Sequence, residues 1–85
     1  MAIWKHTVTL KHLYDDVDLG DPEDVRGSMA ALADALDSNP IFRRFDTSLF
    51  RQMPDGDSFF STEDYANKLL ERLYDFADEK RIWIE

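Results

Sequence analysis

Both ends of this chain carry the alternating pattern of a β-strand, whereas the residues between them carry the spacing of helices. From about Ile3 to Leu13, apolar or aromatic positions alternate with polar ones, which is typical of a half-buried strand. Ile82-Trp83-Ile84 is expected to form a short closing strand, with both isoleucines on one face and Trp83 on the other. Because two isolated strands are marginal in water, we predict that they pair and that helices cover one face.

Two main helices are predicted between the strands. The first is capped by Asp21 and begins at Pro22, and Ser38-Asn39-Pro40 ends it. The second is capped by Ser61 or Thr62. Each has a single apolar stripe, formed by Val25, Met29, Leu32 and Leu36 in the first helix and by Tyr65, Leu69, Leu73 and Phe76 in the second.

The middle of the chain, from Ile41 to Met53, is spaced like one or two short helical turns, and Asp46 or Thr47 is placed to cap the second of them. Pro54-Asp55-Gly56 is expected to form a turn, and the following Phe59 and Phe60 to point inward. The predicted fold class is therefore α+β: two terminal strands pair into a small sheet, covered on one face by two main helices and short helical turns. At 85 residues, positions 1–85 are expected to form a single acidic domain.

Acidic residues are concentrated in one segment of the sequence. Between Asp15 and Asp37 the chain has eight carboxylates and one base, Arg26, which accounts for seven of its eight net negative charges. Such a patch repels nucleic acid and membranes and favours a basic protein surface. The candidate partner-binding residues are Asp15, Asp16, Asp18, Asp24, Asp34 and Asp37, the last-helix acids Glu71, Asp75, Asp78 and Glu79, and Trp83.

No pattern of catalytic, cofactor-binding or metal-binding residues stands out. An EF-hand loop that starts at Asp16 would need glycine at its sixth position and glutamate at its twelfth, and the chain has Asp21 and Gly27 there. His6 and His12 are six residues apart and have no cysteine near them, which argues against a shared metal ion. We therefore expect no cofactor, no metal and no enzyme.

The chain has one basic cluster, formed by Phe42-Arg43-Arg44-Phe45 together with Arg51. Aromatic and basic residues in alternation can bind single-stranded nucleic acid. Because the whole chain has a net charge of −8, we instead favour an arrangement in which the phenylalanine rings lie in the core and the arginines pair with the chain's own acids.

A second candidate surface lies on the outer face of the predicted sheet, where Trp83 would stand beside Lys5, Thr7 and Thr9. An exposed aromatic residue next to unpaired strand edges is a common place for another chain to bind. A cation–π contact of Trp83 with Lys5 or Lys11 is the alternative.

The two ends of the chain resemble a group of small uncharacterised proteins from actinobacteria and their phages or plasmids. The residues that carry the resemblance are Lys5, His6, Thr7, Val8 and Leu10 in the first strand, and Asp78, Arg81, Ile82, Trp83 and Ile84 at the other end. The resemblance implies a strand–helix–helix–strand layout and an origin on a mobile element. It implies no activity and no functional residues.

These observations lead to two functional hypotheses. The first is a non-enzymatic, cytoplasmic module whose acids bind a basic protein surface, in its strongest form a phage inhibitor of the DNA-mimic or anti-CRISPR type. The second is a small accessory subunit or homodimer assembled through the sheet edge and Trp83, in which acidity serves only solubility. A cytoplasmic location suits a chain without cysteine, and neither a signal peptide nor a membrane-spanning stretch is expected.

Overall fold

The computed structural model describes residues 3–18, 20–52 and 62–85. In chain order, the strands and α-helices are β1 (His6–Val8), α1 (Pro22–Asp37), α2 (Ser48–Arg51), α3 (Thr62–Lys80) and β2 (Ile82–Ile84). Two 3-10 turns add to them, at Lys11–Leu13 and Pro40–Phe42. The predicted α+β class and the order of elements are confirmed.

The two terminal strands pair as predicted, and they run parallel. His6 lies opposite Ile82, Thr7 opposite Trp83 and Val8 opposite Ile84. A parallel pair requires a crossover connection, and the helical residues between β1 and β2 provide it. Ile82 and Ile84 are buried on the helix side, while Trp83 remains exposed on the other.

The first strand is much shorter than the alternation from Ile3 to Leu13 predicts. After Val8, the backbone N–H groups of Leu10 and Lys11 both donate to the carbonyl of Glu85, and a 3-10 turn follows immediately. The 3-10 turn bends the chain away from the extended conformation that a longer strand would require. Leu10 is nevertheless buried in the core, although it lies beyond the end of β1.

Helix α1 matches its sequence prediction at both ends. The Asp21 side chain accepts a hydrogen bond from the Glu23 N–H, Pro22 occupies the first helical position, and Ser38 caps the last turn. All four residues of the predicted stripe are buried, as is Ala33 on the same side of the helix.

Helix α3 supplies the other half of the core. Leu69 and Leu73 of the predicted stripe are fully buried together with Ala66 and Ala77, whereas Tyr65 and Phe76 lie partly buried at its margins. The ring of Phe76 contacts both Phe42 and Phe45 from the middle segment, at centroid distances of 6.1 and 5.2 Å. The short turns therefore close the core between α1 and α3.

The middle segment contains two short helical turns, as predicted. The second turn, α2, follows Asp46, whose carboxylate accepts hydrogen bonds from the backbone N–H and the hydroxyl of Ser48. The predicted turn at Pro54-Asp55-Gly56, the inward-pointing Phe59 and Phe60, and the Ser61 cap lie outside the described residues. Within the described part of the chain, no helix is both long and apolar enough to span a bilayer.

Candidate functional site

Backbone N–H groups connect three of the acids around the start of α1, namely Asp18, Asp21 and Asp24. The N–H of Asp18 donates to the Asp24 carboxylate at 2.8 Å, and the N–H of Gly20 donates to the Asp18 carboxylate at 2.9 Å. The N–H of Asp21 donates to the Asp18 carbonyl at 3.0 Å. We call these three acids, together with their sequence neighbours Asp15, Asp16 and Glu23, the acid cluster.

Every member of the acid cluster is exposed, and none forms an ion pair within residues 3–18, 20–52 and 62–85. Three of them occupy the N-cap and first turn of α1, where the positive end of the helix dipole favours negative charge. The helix therefore tolerates the cluster, but no opposite charge neutralises it in the described structure.

Two further predicted acids, Asp34 and Asp37, lie elsewhere and share one arginine. They project from the last turns of α1, about 15 and 20 Å along the helix axis from Asp24. Both carboxylates bind the guanidinium of Arg51, and the Asp37 contact measures 2.9 Å. The Thr47 hydroxyl also donates to Asp37 at 2.7 Å, and this bond, followed by the bond from Arg51, lowers the pKa of Asp37.

The acids of α3 face solvent among bases of the same helix. Glu71, Asp75, Asp78 and Glu79 are all exposed. Two of them, with Lys68 and Arg72, line a shallow groove of about 300 Å³ whose apolar side includes Leu49, Tyr65 and Leu69. The groove is therefore lined by charges of both signs.

Trp83 is 43 % exposed and makes an aromatic pair that the alternation did not predict. Its ring centroid lies 5.2 Å from that of Trp4, which is 40 % exposed, at an interplanar angle of 58°. Because Lys5, Thr7 and Thr9 were predicted to share the face of Trp83, strict alternation would place Trp4 on the opposite face. Trp4 precedes the regular strand, however, and does not follow its period. Among the described residues, Trp83 makes no cation–π contact with Lys5 or Lys11.

A pair of tyrosines anchors the segment that leads to the acid cluster, and sequence reasoning missed it. The hydroxyls of Tyr14 and Tyr74 lie 2.5 Å apart, so one donates to the other. Partial burial and this hydrogen bond raise the pKa of Tyr14. The two residues are 60 positions apart in sequence, so no local pattern reveals the contact. The hydrogen bond connects the segment before the acid cluster to α3.

The basic cluster behaves largely as expected. Phe42 is buried, Phe45 is half-buried against Phe50 and Phe76, and Arg51 pairs with acids of α1. The predicted pairing does not extend to Arg43 and Arg44, which are exposed and form no ion pair within the described residues. The phenylalanine rings are therefore occupied by the core and do not offer a stacking surface to nucleic acid.

The described residues contain no group of three or more histidine, aspartate or glutamate side chains placed to hold a metal ion. His6 and His12 are both exposed, on β1 and on the 3-10 turn that follows it. No protein-family model, no curated protein and no solved structure matches this chain.

Proposed function

We propose that the protein is a non-enzymatic, cytoplasmic binding module that uses its acid cluster to engage a basic surface on another protein. The observation that carries the proposal is a group of six exposed carboxylates at one end of α1, without an ion pair in the described structure. The other predicted acids differ, because Asp34 and Asp37 are bound by Arg51 and those of α3 are interspersed with bases.

Unpaired surface charge of one sign has a direct consequence for association. It accelerates the encounter with an oppositely charged surface and makes the affinity fall steeply as salt rises. The cluster is also ordered, since backbone hydrogen bonds hold Asp18 and Asp24 in fixed positions. A preformed charge arrangement loses less conformational entropy on binding than a flexible acidic tail does.

In its strongest form, the proposal is an inhibitor that occupies a nucleic-acid-binding groove of its partner. The carboxylates of the cluster take the place of phosphates, as in proteins of the DNA-mimic and anti-CRISPR kinds. Direct binding of nucleic acid by this chain is not part of the proposal, because its net charge of −8 opposes a polyanion. An origin on a phage or plasmid is consistent with this form.

The test begins with capture of partners from a host lysate on the immobilised protein and elution with salt. Binding of the purified partner is then measured for the double variant Asp15→Lys/Asp16→Lys, whose side chains make no hydrogen bond in the described structure. A matched control, Glu71→Lys/Asp75→Lys, makes the same change of charge on α3.

The proposal predicts a loss of at least about tenfold in affinity for the first variant, and a clearly smaller loss for the control. Unchanged binding by the first variant would eliminate the acid cluster as the contact. Equal losses in both variants would show that overall charge, and not this cluster, attracts the partner.

A second candidate function is favoured by the exposed Trp4–Trp83 pair and by Ile3 beside it in sequence, which is 64 % exposed. It is a small accessory subunit or homodimer assembled through the sheet edge and Trp83. Sedimentation equilibrium at several protein concentrations tests the homodimer form. A salt-insensitive dimer that Trp83→Ala dissociates would support it, whereas a monomer at all concentrations would contradict it.

A further inference from the structure

A single residue, Arg81, joins helix α3 to strand β2. Its φ of 59° lies in the left-handed region, which a residue other than glycine occupies at a cost in free energy. The carbonyl of the same residue accepts hydrogen bonds from the N–H groups of Lys5 and His6, where the sheet begins. A short connection under backbone strain favours domain swapping, in which two copies of a chain exchange the element that follows the connection.

Strand β2 makes contacts that a second copy of the chain supplies equally well. Its residues Ile82 and Ile84 are buried, and it pairs with β1 in a parallel register. Beyond the strand, the Glu85 N–H donates to the Val8 carbonyl at 2.8 Å. Because β1 and the core of a second copy offer the same partners, an exchange of β2 retains these contacts while Arg81 leaves the left-handed region.

The exposed apolar residues lie beside this connection. Within the described part of the chain, the large apolar side chains that remain exposed are those of Ile3, Trp4 and Trp83. The Trp83 ring contacts Trp4, and the residue after Trp4 is the Lys5 that donates to the Arg81 carbonyl. Two copies that exchange β2 meet where their chains cross, so this apolar surface lies where their new contact forms.

We propose that two copies of this protein form a dimer by exchanging β2, with Arg81 as the hinge. In the dimer, β2 of each copy pairs with β1 of the other, and each Trp83 contacts Trp4 of the other copy. The arrangement differs from the homodimer candidate above, in which two complete sheets meet. It is independent of whether the acid cluster binds another protein.

A contact through the exposed surface alone is small for a stable dimer. A fully buried aromatic side chain contributes roughly 150–250 Å². Trp4 and Trp83 are 40 % and 43 % exposed, so more than half of each is already covered. Together with Ile3 they supply well under the roughly 800 Å² per partner of a standard interface. Exchange adds Ile82 and Ile84 to the contact between copies and therefore explains a dimer better than the surface does.

The acid cluster lies toward the opposite end of the sheet from the hinge. The parallel strands run from Arg81 to Glu85, whose carbonyl accepts from the Lys11 N–H, and the Lys11 carbonyl in turn accepts from the Asp15 N–H. Four residues of extended chain span about 13 Å, which exceeds the Debye length of about 8 Å at physiological salt. Repulsion between the acid clusters of two copies that meet at the hinge is therefore largely screened.

The hinge itself is surrounded by charges of both signs. Asp78, Glu79 and Lys80 precede Arg81 in sequence, and Lys5 is bonded to its carbonyl. All five residues are exposed. The region where the copies meet thus lacks the acidic excess that the whole chain carries.

Introduced cysteines distinguish an exchanged strand from an unexchanged one, because the chain contains no cysteine of its own. Thr9 lies opposite Glu85, since Glu85 donates to Val8 and accepts from Leu10, and both Thr9 and Glu85 are exposed. Residues opposite each other on paired strands are close enough for a disulfide. The double variant Thr9→Cys/Glu85→Cys is refolded from urea at high protein concentration, and its dimer is isolated by size exclusion and oxidised.

A denaturing, non-reducing gel then reads the connectivity. A disulfide within one chain migrates as a monomer, whereas exchanged strands give a covalent dimer. As a control, the single variants Thr9→Cys and Glu85→Cys are refolded separately and mixed, or refolded together. We expect a disulfide between the two different chains only after they are refolded together, because β2 must leave its own sheet before it can exchange.

The hinge is tested by two substitutions at one position. Arg81→Gly removes the left-handed cost from the unexchanged form, so we expect it to weaken the dimer by at least about tenfold. Arg81→Ala loses the same side chain but retains the cost, and should leave the dissociation constant within about twofold. Sedimentation equilibrium after refolding at several concentrations measures both, and circular dichroism establishes that each variant is folded.

A covalent dimer of the double cysteine variant, together with weakening by Arg81→Gly alone, would support exchange. A monomer at all concentrations, a dimer whose disulfides lie within single chains, or equal weakening by Arg81→Gly and Arg81→Ala would each overturn it. If the disulfides lie within single chains and Trp83→Ala dissociates the dimer, the homodimer candidate stands and exchange does not.

Discussion

At the scale of single residues, the carboxylate of Asp37 shows how this small domain connects distant segments. It accepts hydrogen bonds from the Thr47 hydroxyl and the Arg51 guanidinium, and so joins the end of α1 to α2. Thr47 is buried, whereas the two charged partners are partly exposed. Because exposed ion pairs are strongly screened by water, the buried hydroxyl is expected to be the more important of the two contacts for stability.

Replacing this hydroxyl tests the contact directly. Thr47→Val keeps the side-chain shape but removes the donor, and we expect a loss of about 1 kcal/mol in the free energy of unfolding near neutral pH. The pKa of Asp37 should rise toward its ordinary value, because the Thr47 hydrogen bond is the largest cause of its lowering. Urea unfolding and an NMR titration of the carboxylate measure the two effects. An unchanged Asp37 pKa would contradict this assignment.

The same contact gives the stability a defined dependence on pH. The pKa of Asp37 lies below 3.8 in the folded protein, so its stabilising contribution is complete well above that pH and is lost as the pH falls through the folded value. Asp46 acts in the same direction, because Ser48 lowers its pKa. The urea midpoint should therefore fall as the pH is lowered below about 4, and less steeply in Asp37→Asn. Equal slopes in the two proteins would exclude Asp37 as a contributor.

At the scale of secondary-structure elements, the sequence predicted an element correctly where the residues of that element determine its conformation. Asp21, Pro22 and the apolar stripe defined α1 because capping and helical periodicity are local. The length of β1 was overestimated because the chain turns into a 3-10 helix at Lys11, a change that the alternation of apolar residues does not reveal. Arg51 and Asp34 are 17 positions apart in sequence. The charges of the chain therefore predicted that arginines pair with acids, but not which residues form the pair.

The turn between α3 and β2 contains a backbone conformation that the sequence did not signal. Arg81 has a φ of 59°, in the left-handed region where glycine is usually found after a helix. Its N–H donates to the Asp78 carbonyl, and its own carbonyl accepts from Lys5 at the start of the sheet. The position therefore aligns the two strands at a cost in backbone strain.

Arg81→Gly should relieve that strain. We expect the free energy of unfolding to rise by roughly 1 kcal/mol, since a non-glycine residue in the left-handed region costs about that amount. Thermal and urea unfolding measure the change. Arg81→Ala serves as the control, because it removes the side chain without freeing the backbone and should give no comparable gain. A gain of equal size in both variants would attribute the effect to the arginine side chain.

Helix α1 offers the opposite substitution at Gly27. This glycine is exposed in the helix interior, has no left-handed φ, and an added Cβ would meet nothing within 4 Å. Gly27→Ala should therefore stabilise the fold by about 0.5–1 kcal/mol, by lowering the conformational entropy of the unfolded chain. Gly20→Ala is the matched control, since its Cβ would lie 3.3 Å from the Asp18 carboxylate. A destabilised Gly27→Ala would contradict the described helix geometry.

At the scale of the whole molecule, charge is distributed unevenly over a small core. The acid cluster forms no ion pair in the described structure, two acids at the end of α1 share Arg51, and Lys5 and Lys11 lie on either side of β1 in sequence. Sequence counting located the excess of acid, but it could not separate unpaired acids from paired ones, because pairing depends on how α2 docks against α1. In the described structure, therefore, only the acids in the first part of the predicted acidic segment lack an ion pair.

An unpaired cluster of like charges should destabilise the fold that carries it, and this cost is measurable without a partner. Neutralising two members in Asp15→Asn/Asp16→Asn should raise the unfolding temperature at low salt, because mutual repulsion in the folded state is relieved. The gain should shrink as salt is added, since screening removes the same repulsion from the wild type.

The paired variant Asp34→Asn/Asp37→Asn should instead lower the unfolding temperature, because it leaves Arg51 without its partners. Scanning calorimetry over a range of sodium chloride concentrations distinguishes the two, and a stabilising effect of both variants would mean that total charge alone governs stability. Acids placed anywhere on the surface would serve solubility. If the acid cluster lowers the stability of the fold and the other acids do not, a binding role explains better than solubility why the cluster is retained.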